Sequence, residues 1–366
     1  MPTRFHPLRV ARIAPEAAGA VAIALHVPDA LRDIFDFKPG QYLSLRSSID
    51  GVDTRRSYSI CCTRQHFLQQ QELVVGIRPM RGGVFSNWAA TQLKEGDTLA
   101  VMPPQGRFVS QRPRALHRVG FAAGSGITPI LSILASTLQD QPKAKFTLVY
   151  GNRNMASVMF NEALQDLKDA YADRLTLIHV LSRQAQEVDL LQGRIDGDKV
   201  RAIVAALLPV ASMDEVFICG PEAMIEATEH ALLEAGVPAR QLHTERFSSP
   251  TLESLTPQER RAVTGQGHLP AGDGQVALTV VLDGKSHALK MEPTQHVLDA
   301  ALAAGLDLPF SCKGGVCATC RCKLTQGQVT MDKNFGLEPW ETEQGFVLSC
   351  QARPSSAAVT VSFDER

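Results

Sequence analysis

Four cysteines in the C-terminal part of the chain have the residue type and spacing needed to bind iron. Cys312, Cys317 and Cys320 lie in the run SCKGGVCATC, and Cys350 follows farther along, which makes the spacing C-x4-C-x2-C…C. Soft sulfur keeps iron bound in either oxidation state, and two ferric ions bridged by two sulfides need two terminal ligands each. The spacing therefore predicts a [2Fe-2S] cluster with these four cysteines as ligands.

The same cysteines could in principle form disulfides or a structural zinc site. Zinc sites usually space their ligands as two C-x2-C pairs, which this loop does not do. Gly314 and Gly315 would let the backbone wrap closely around a cluster and aim N–H groups at its sulfurs. Cys322 lies outside this spacing, and we expect it to be a buried small hydrophobe rather than a ligand.

The segment RSYS, on a predicted strand, is a first nucleotide-binding signal. Arg56 could clamp a phosphate, Tyr58 could lie against a flat ring, and Ser59 could hydrogen-bond a ring nitrogen. By themselves these residues also fit an ordinary strand. The run GGVFS, with Gly83 and Ser86, places glycines before a helix start, where free N–H groups could bind a second phosphate.

The segment GSGITP follows an apolar strand and precedes the helical stretch ILSILASTL. We expect Thr128 to cap this helix and Pro129 to lie in its first turn. The loop, with Gly124 and Gly126, would then offer backbone donors and a positive helix end to a pyrophosphate. It is not a Walker loop, because it lacks the Gly-Lys-Ser/Thr ending, and it departs from the GxGxxG fingerprint.

Two later segments complete the nucleotide signals. Cys219 ends a predicted strand in CGP, where the carboxyl edge of a parallel sheet usually meets its ligand, although a buried strand cysteine is an equal interpretation. Glu245 and Phe247, in ERF, close the second predicted domain. An aromatic at such a boundary is more often core than cofactor cover.

Composition limits the function classes. A chain of 366 residues can form two or three domains, and a net charge of −1 without a clustered cationic surface argues against nucleic acid as the partner. No apolar run reaches the roughly 18 residues of a membrane span.

The alternation of Val21, Ile23 and Leu25 predicts a half-buried strand rather than a secretory signal. We therefore expect a cytoplasmic protein, where cysteines stay reduced.

The pattern of strands and helices changes along the chain. Residues 1–113 read as short strands broken by turns, which predicts an antiparallel β-barrel. Residues 114–248 alternate strand and helix, as in a parallel-sheet α/β domain. A polar, Pro- and Gly-rich linker is predicted over 249–274. Residues 275–366 begin with a hairpin whose turn is Asp283-Gly284, and a helix from about His296 to Ala304 leads into the cysteine loop.

Taken in order, RSYS, GGVFS, AAGSGITP, YGNR, CGP and ERF resemble the ferredoxin-NADP reductase superfamily, and the cysteine loop resembles plant-type ferredoxins. The resemblance implies an FAD-binding β-barrel domain over 1–113, an NAD(P)-binding α/β domain over 114–248 and an α+β β-grasp ferredoxin domain over 275–366. Some reductases with this domain order use FMN, so FAD is inferred from the closeness of the whole match.

The resemblance also assigns roles at the flavin. Arg56 would contact the flavin phosphate, Tyr58 would pack on the isoalloxazine ring, and Ser59 would approach its N5 atom. Gly83 and Ser86 would hold the second phosphate.

At the nicotinamide dinucleotide the GSGITP loop, with Gly124, Gly126 and Thr128, would cradle the pyrophosphate. Cys219 would lie beside the nicotinamide C4 atom, and Glu245 would be one of the polar residues near the path of the hydride. The catalytic candidates are therefore Ser59, Cys219 and Glu245. The remaining residues implied to bind cofactors are Phe247 over the flavin face, Arg153 of YGNR, and Ser182 and Arg183. In NADP-specific relatives a Ser-Arg pair holds the 2′-phosphate, so Ser182-Arg183 favours NADPH.

NADPH delivers a two-electron hydride and a [2Fe-2S] cluster accepts single electrons, so a flavin must stand between them. The implied acceptor is the di-iron oxygenase component that epoxidises phenylacetyl-CoA in phenylacetate degradation. Two alternatives stay open: a reductase of the same design serving a ring-hydroxylating or alkane oxygenase, and a non-catalytic redox sensor.

Overall fold

The computed structural model describes residues 4–247 and 275–365, which fall into two compact units. The first unit, 4–246, contains the predicted flavin and dinucleotide domains. The second begins at Phe247 and contains the predicted ferredoxin domain. The predicted linker over 249–274 lies outside the described residues. In the described part of the chain, no helix combines the length and apolar character that crossing a bilayer requires.

The N-terminal domain is an antiparallel sheet of six strands in the order β4-β3-β6-β1-β2-β5. The strands are β1 (His6–Pro15), β2 (Val21–His26), β3 (Tyr42–Ile49), β4 (Val52–Ser59), β5 (Glu72–Ile77) and β6 (Thr98–Val101), with helices α1 (Arg64–Gln70) and α2 (Val84–Thr91). Ile60, next after β4, bridges to Val75 of β5, so the curled sheet closes on itself. Alternate residues such as Ile23 and Leu43 fill the interior. The predicted barrel is confirmed.

The second domain is a five-stranded parallel sheet in the order β11-β10-β7-β8-β9. Its strands are β7 (His117–Ala123), β8 (Lys145–Asn152), β9 (Leu175–Leu181), β10 (Glu215–Cys219) and β11 (Leu242–Glu245), and its helices are α3 (Ile127–Asp140), α4 (Asn161–Ala170), α5 (Gly197–Leu207) and α6 (Glu222–Glu234). Helices α3 and α4 bury apolar residues against one face, and α5 and α6 against the other. The strand order reverses at β7, so a ligand is expected at its carboxyl end.

The prediction that Thr128 caps the helix is wrong. A single 3-10 turn over Gly124–Gly126 precedes α3, and Gly126 is the N-cap residue. Thr128 lies inside the first helical turn, where it is 2% exposed and its hydroxyl donates to the carbonyl of Ser125 at 3.0 Å. A threonine hydroxyl readily bonds a nearby carbonyl in this way, which removes it from the cap position. Pro129 lies in the first turn, as expected.

The C-terminal unit has a mixed sheet in the order β13-β12-β18-β14-β16 and a two-stranded sheet, β15-β17. Its elements are β12 (Val276–Leu282), β13 (Lys285–Met291), α7 (Val297–Ala303), β14 (Arg321–Gln326), β15 (Val329–Met331), α8 (Pro339–Glu343), β16 (Phe346–Leu348), β17 (Ala352–Pro354) and β18 (Ala358–Ser362). Asp283 and Gly284 join β12 to β13 with φ of 49° and 73°, as a type I′ turn requires. The predicted hairpin, helix and β-grasp domain are confirmed.

Candidate redox site

Three strand ends bring Ser59, Cys219 and Glu245 together. Ser59 ends β4 of the barrel, whereas Cys219 and Glu245 end β10 and β11 and lie opposite each other in the parallel register. The Ser59 hydroxyl donates to Oε2 of Glu245 at 3.1 Å. The structure therefore gathers the three predicted catalytic residues where the barrel meets the parallel sheet.

Burial controls the charge of this cluster. It raises the pKa of Glu245 to about 8, although the hydrogen bond from Ser59 acts in the opposite direction. Burial also raises the pKa of the Cys219 thiol, and the nearby Glu245 carboxyl adds to that shift. Near pH 7 the carboxyl keeps its proton and the thiol stays neutral. A protonated carboxyl can donate as well as accept a hydrogen bond, so this cluster can hold a proton.

The raised pKa of Glu245 predicts a pH-dependent stability. An unfolded glutamate ionises above about pH 4.3, whereas the folded protein keeps this proton up to about pH 8, so stability falls as pH rises between these values. Relative to Glu245→Gln, the wild type should lose at most about 1.4 kcal/mol of unfolding free energy per pH unit. Urea unfolding of both proteins between pH 5 and 8 measures the difference.

A matched control for that experiment is Glu187→Gln, because Glu187 is exposed. Its stability difference from the wild type should stay flat with pH. A flat difference for Glu245→Gln as well would show that Glu245 is ionised in the folded protein.

The predicted flavin residues lie on β4 and at the start of α2. Arg56 is exposed, and the Tyr58 ring packs on Phe85 with centroids 5.7 Å apart. Gly83 is the N-cap of α2, and a Cβ there would lie 2.6 Å from Oγ of Ser86. The missing side chain leaves a cradle of N–H groups beside a serine hydroxyl. This donor set fits a phosphate of the flavin.

The GSG turn packs directly on the end of β10. A Cβ on Gly126 would lie 2.1 Å from the Cys219 carbonyl oxygen, so only glycine permits this approach. Tyr150, which sequence reasoning did not single out within YGNR, is 1% exposed and its hydroxyl donates to the carbonyl of Gly124 at 2.9 Å. Since the Thr128 side chain is buried and its hydroxyl donates to the Ser125 carbonyl, a pyrophosphate bound here would have to be held by backbone N–H groups of the turn.

Arg153 and Arg183 follow neighbouring parallel strands, β8 and β9. The backbone N–H of Arg183 donates to the carbonyl of Arg153 at 2.7 Å, and the N–H of Ser182 donates to that of Asn152 at 2.9 Å. Both arginines are exposed. The fold therefore places two guanidinium-bearing residues side by side at the carboxyl edge of the sheet.

A cavity of about 590 Å³ extends along β9 toward this edge. Its lining includes Met155, Leu181 and Gln184, and it does not include Ser59 or Glu245. It is therefore separate from the redox cluster. Two of its lining residues, Leu181 and Gln184, flank Ser182 and Arg183 in the sequence.

The four predicted cluster ligands form two pairs. The Cys312 and Cys317 thiols are hydrogen-bonded to each other, and so are those of Cys320 and Cys350. The bond from Cys317 lowers the pKa of Cys312 below its usual range. Two irons that each need two terminal thiolates fit this arrangement. Within residues 4–247 and 275–365, no three potential ligands converge as a single-ion zinc site requires.

Backbone N–H groups surround these sulfurs. The N–H of Gly314 donates to Sγ of Cys312 at 3.3 Å, and that of Gly315 donates to Cys350. Gly315 has φ of +78°, and a Cβ there would lie 3.1 Å from the Lys333 carbonyl oxygen. The loop therefore fits a negatively charged cluster. Cys322 is fully buried and its thiol faces the Val347 carbonyl at 3.8 Å, which confirms the expected buried position.

Phe247 belongs to the C-terminal unit and is 43% exposed. Its predicted position over the flavin stays a prediction, as do the individual ligand roles of the other site residues.

Family models match three consecutive regions. An oxidoreductase FAD-binding domain matches residues 20–109, an oxidoreductase NAD-binding domain matches 121–230, and a 2Fe-2S iron-sulfur cluster binding domain matches 280–355. The cofactors are therefore FAD, a pyridine nucleotide and a [2Fe-2S] cluster.

Two similar proteins match this chain over nearly its whole length and over nearly the whole of their own. The chain is 44% identical to one of the subunits of the 1,2-phenylacetyl-CoA epoxidase of Escherichia coli K12, over 100% of this chain and 99% of that protein. It is 35% identical to the ferredoxin reductase component of 3-ketosteroid-9-alpha-monooxygenase of Rhodococcus rhodochrous, over 97% and 96%.

Among solved structures, that of phthalate dioxygenase reductase matches 98% of this chain and 98% of its own chain, with a TM-score of 0.58 and 20% sequence identity. The two proteins therefore share the fold. The three domain matches and the full-length relatives together establish that the chain belongs to the ferredoxin-NADP reductase superfamily, among the members that carry a C-terminal plant-type [2Fe-2S] ferredoxin domain and serve as reductase components of oxygenase systems.

Proposed function

We propose that this reductase takes hydride from NADPH and supplies electrons to the di-iron oxygenase component that epoxidises phenylacetyl-CoA. The observation that carries the proposal is the 44% identity, over the whole of both chains, to the Escherichia coli epoxidase protein. Identity to the 3-ketosteroid monooxygenase reductase is lower, at 35%. We place the protein in the cytoplasm, where thiols needed for cluster assembly stay reduced.

The bound flavin supplies the conversion between two-electron and one-electron transfer. Within this chain, Arg56, Gly83 and Ser86 would hold its phosphates, and Tyr58 would pack on its ring. Ser59 would present its hydroxyl to the ring edge, oriented by the hydrogen bond to Glu245. Because burial raises the pKa of Glu245 to about 8, the carboxyl brings no negative charge to this site at pH 7 and can keep a proton there.

NADPH specificity would come from the carboxyl edge of β8 and β9. Arg153 and Arg183 are joined there through their backbones, and Ser182 lies beside them with its hydroxyl 3.3 Å from the Asn152 carbonyl. Guanidinium groups bind phosphate through charge-assisted hydrogen bonds. This pair can select the nucleotide that carries a 2′-phosphate.

Replacing Arg183 with alanine should therefore raise KM for NADPH about tenfold or more, since hydrogen bonds to charged groups contribute about 1.5–3 kcal/mol. KM for NADH and kcat should change little, because NADH has no 2′-phosphate. Steady-state ferricyanide reduction with each nucleotide measures the effect.

Arg240→Ala is the matched control, because Arg240 is exposed just before β11, at the amino edge of the sheet. It should leave both KM values unchanged. An equal rise of KM for both nucleotides in Arg183→Ala would assign Arg183 to the shared pyrophosphate instead, and an unchanged KM for NADPH would place the 2′-phosphate elsewhere.

Reconstitution tests the partner. The purified reductase is mixed with the oxygenase component of a phenylacetyl-CoA epoxidase, and NADPH oxidation and phenylacetyl-CoA consumption are measured together. We expect coupled turnover there, and far less with a 3-ketosteroid oxygenase component. Coupling to the steroid system alone would overturn the proposed acceptor, and failure to reduce ferricyanide at all would overturn the reductase activity.

A further inference from the structure

Gln351, next after Cys350, is 6% exposed and surrounded by hydrogen-bond acceptors. Its amide nitrogen lies 3.0 Å from the Lys313 carbonyl oxygen, 2.8 Å from the Cys350 carbonyl oxygen and 3.6 Å from Sγ of Cys350. Because all three neighbours accept hydrogen bonds, the side chain must present its NH2 group to them and not its oxygen.

We propose that Gln351 is a positioning residue for the iron-sulfur centre: it holds the ligand loop in place and, through its N–H group on the Cys350 sulfur, raises the reduction potential of the [2Fe-2S] cluster. The inference rests on the proposed ligand role of Cys350. It does not depend on which oxygenase accepts the electrons.

The positioning part follows from the backbone of the loop. Lys313, between ligand Cys312 and Gly314, has φ of +51°, a left-handed conformation that costs a non-glycine residue free energy. The Gln351 amide bonds the carbonyl of this residue. Its side chain also packs on Gly315, where a Cβ would lie 3.2 Å from Cγ of Gln351. One side chain thus ties the loop that carries three ligands to the segment that carries the fourth.

The tuning part follows from charge. Reduction adds one electron to a centre whose sulfurs already bear negative charge, and hydrogen bonds to those sulfurs are one of the factors that set the potential. Cys350 accepts an N–H from Gly315 as well as from Gln351. The Gly315 donor belongs to the backbone, whereas the Gln351 donor can be removed by substitution.

The test is a redox titration of the anaerobic holoprotein, followed by the electron paramagnetic resonance signal of the reduced cluster. Gln351→Met and Gln351→Glu keep the side-chain length and remove the donor. At a fixed ambient potential, we expect about threefold to tenfold less reduced cluster in Gln351→Met, where tenfold corresponds to about 59 mV for one electron. Gln351→Glu should show a larger decrease, because its carboxylate adds negative charge.

Gln344→Met is the matched control, because Gln344 is exposed at the end of α8 in the same unit, and its potential should equal that of the wild type. Full iron content with an unchanged potential in both Gln351 variants would overturn the proposal. Loss of iron from both, with the far-ultraviolet circular dichroism retained, would support the positioning role. A cluster spectrum that survives Cys350→Ser would refute the ligand assignment separately.

Discussion

Replacing Cys350 with serine is expected to abolish electron delivery to the oxygenase, by at least about 100-fold, because losing a ligand should cost more than losing an outer-shell partner. Ferricyanide can take electrons at the flavin, so much of its NADPH-dependent reduction should remain. The two activities, measured on the same anaerobic preparation together with iron content and the visible spectrum, separate the flavin half of the relay from the cluster half.

Cys322→Ser is the matched control for this experiment. Cys322 is equally a cysteine of the ferredoxin domain, but its thiol faces the Val347 carbonyl inside the core. A serine hydroxyl can donate to the same carbonyl, so the cluster and oxygenase support should persist. Oxygenase support that survives Cys350→Ser would mean that another residue provides the fourth ligand.

The largest expected effect on stability is at Arg118 and Glu215, both fully buried in the parallel-sheet domain. Nε of Arg118 donates to Oε2 of Glu215 at 2.9 Å, and its Nη2 donates to the Arg112 carbonyl at 2.7 Å. Glu215 also accepts from the backbone N–H of Gln111 at 2.7 Å and from Ser110 Oγ at 2.7 Å. The pair therefore ties the segment before β7 to the sheet.

Arg118→Ala should destabilise the protein by about 3–5 kcal/mol, because it leaves the Glu215 carboxylate buried without its cation. Although burial acts to raise the pKa of Glu215, the surrounding hydrogen bonds bring it to about 2, so the carboxylate stays charged at neutral pH. The unfolding free energy from urea titration with NADPH absent measures the loss.

Arg201→Ala is the corresponding surface control. Arg201 pairs with Asp198 at 2.7 Å and with Glu234 at 3.0 Å, but its side chain is 50% exposed. Exposed pairs contribute about 0–1 kcal/mol, so this variant should unfold near the wild-type midpoint. Similar losses in the two variants would show that burial of the Arg118 pair carries no extra stabilisation.

Features that depend on neighbouring residues could be predicted from the sequence. The cysteine spacing predicts an iron-sulfur loop because three ligands come from one short segment. Asp283-Gly284 predicts its hairpin because a type I′ turn needs positive φ at both residues. Thr128 shows the limit of such reasoning. A 3-10 turn precedes α3, so the helix begins at Ile127, and the Thr128 hydroxyl donates to the Ser125 carbonyl instead of capping the helix.

The chain alone was sufficient for the fold class and the iron-sulfur loop, because these depend on local patterns a few residues long, and for the flavin and nucleotide cofactors through the ordered resemblance of several such patterns to one superfamily. Only the folded protein shows that Ser59 of the barrel reaches Glu245 of the parallel sheet at 3.1 Å, or that Gln351 bonds both Lys313 and Cys350. The Ser59–Glu245 contact joins two domains and the Gln351–Lys313 contact joins distant segments of the ferredoxin domain, so both exist only after these parts of the chain pack together. The same packing removes water from Glu245 and raises its pKa to about 8, a property that no local pattern encodes.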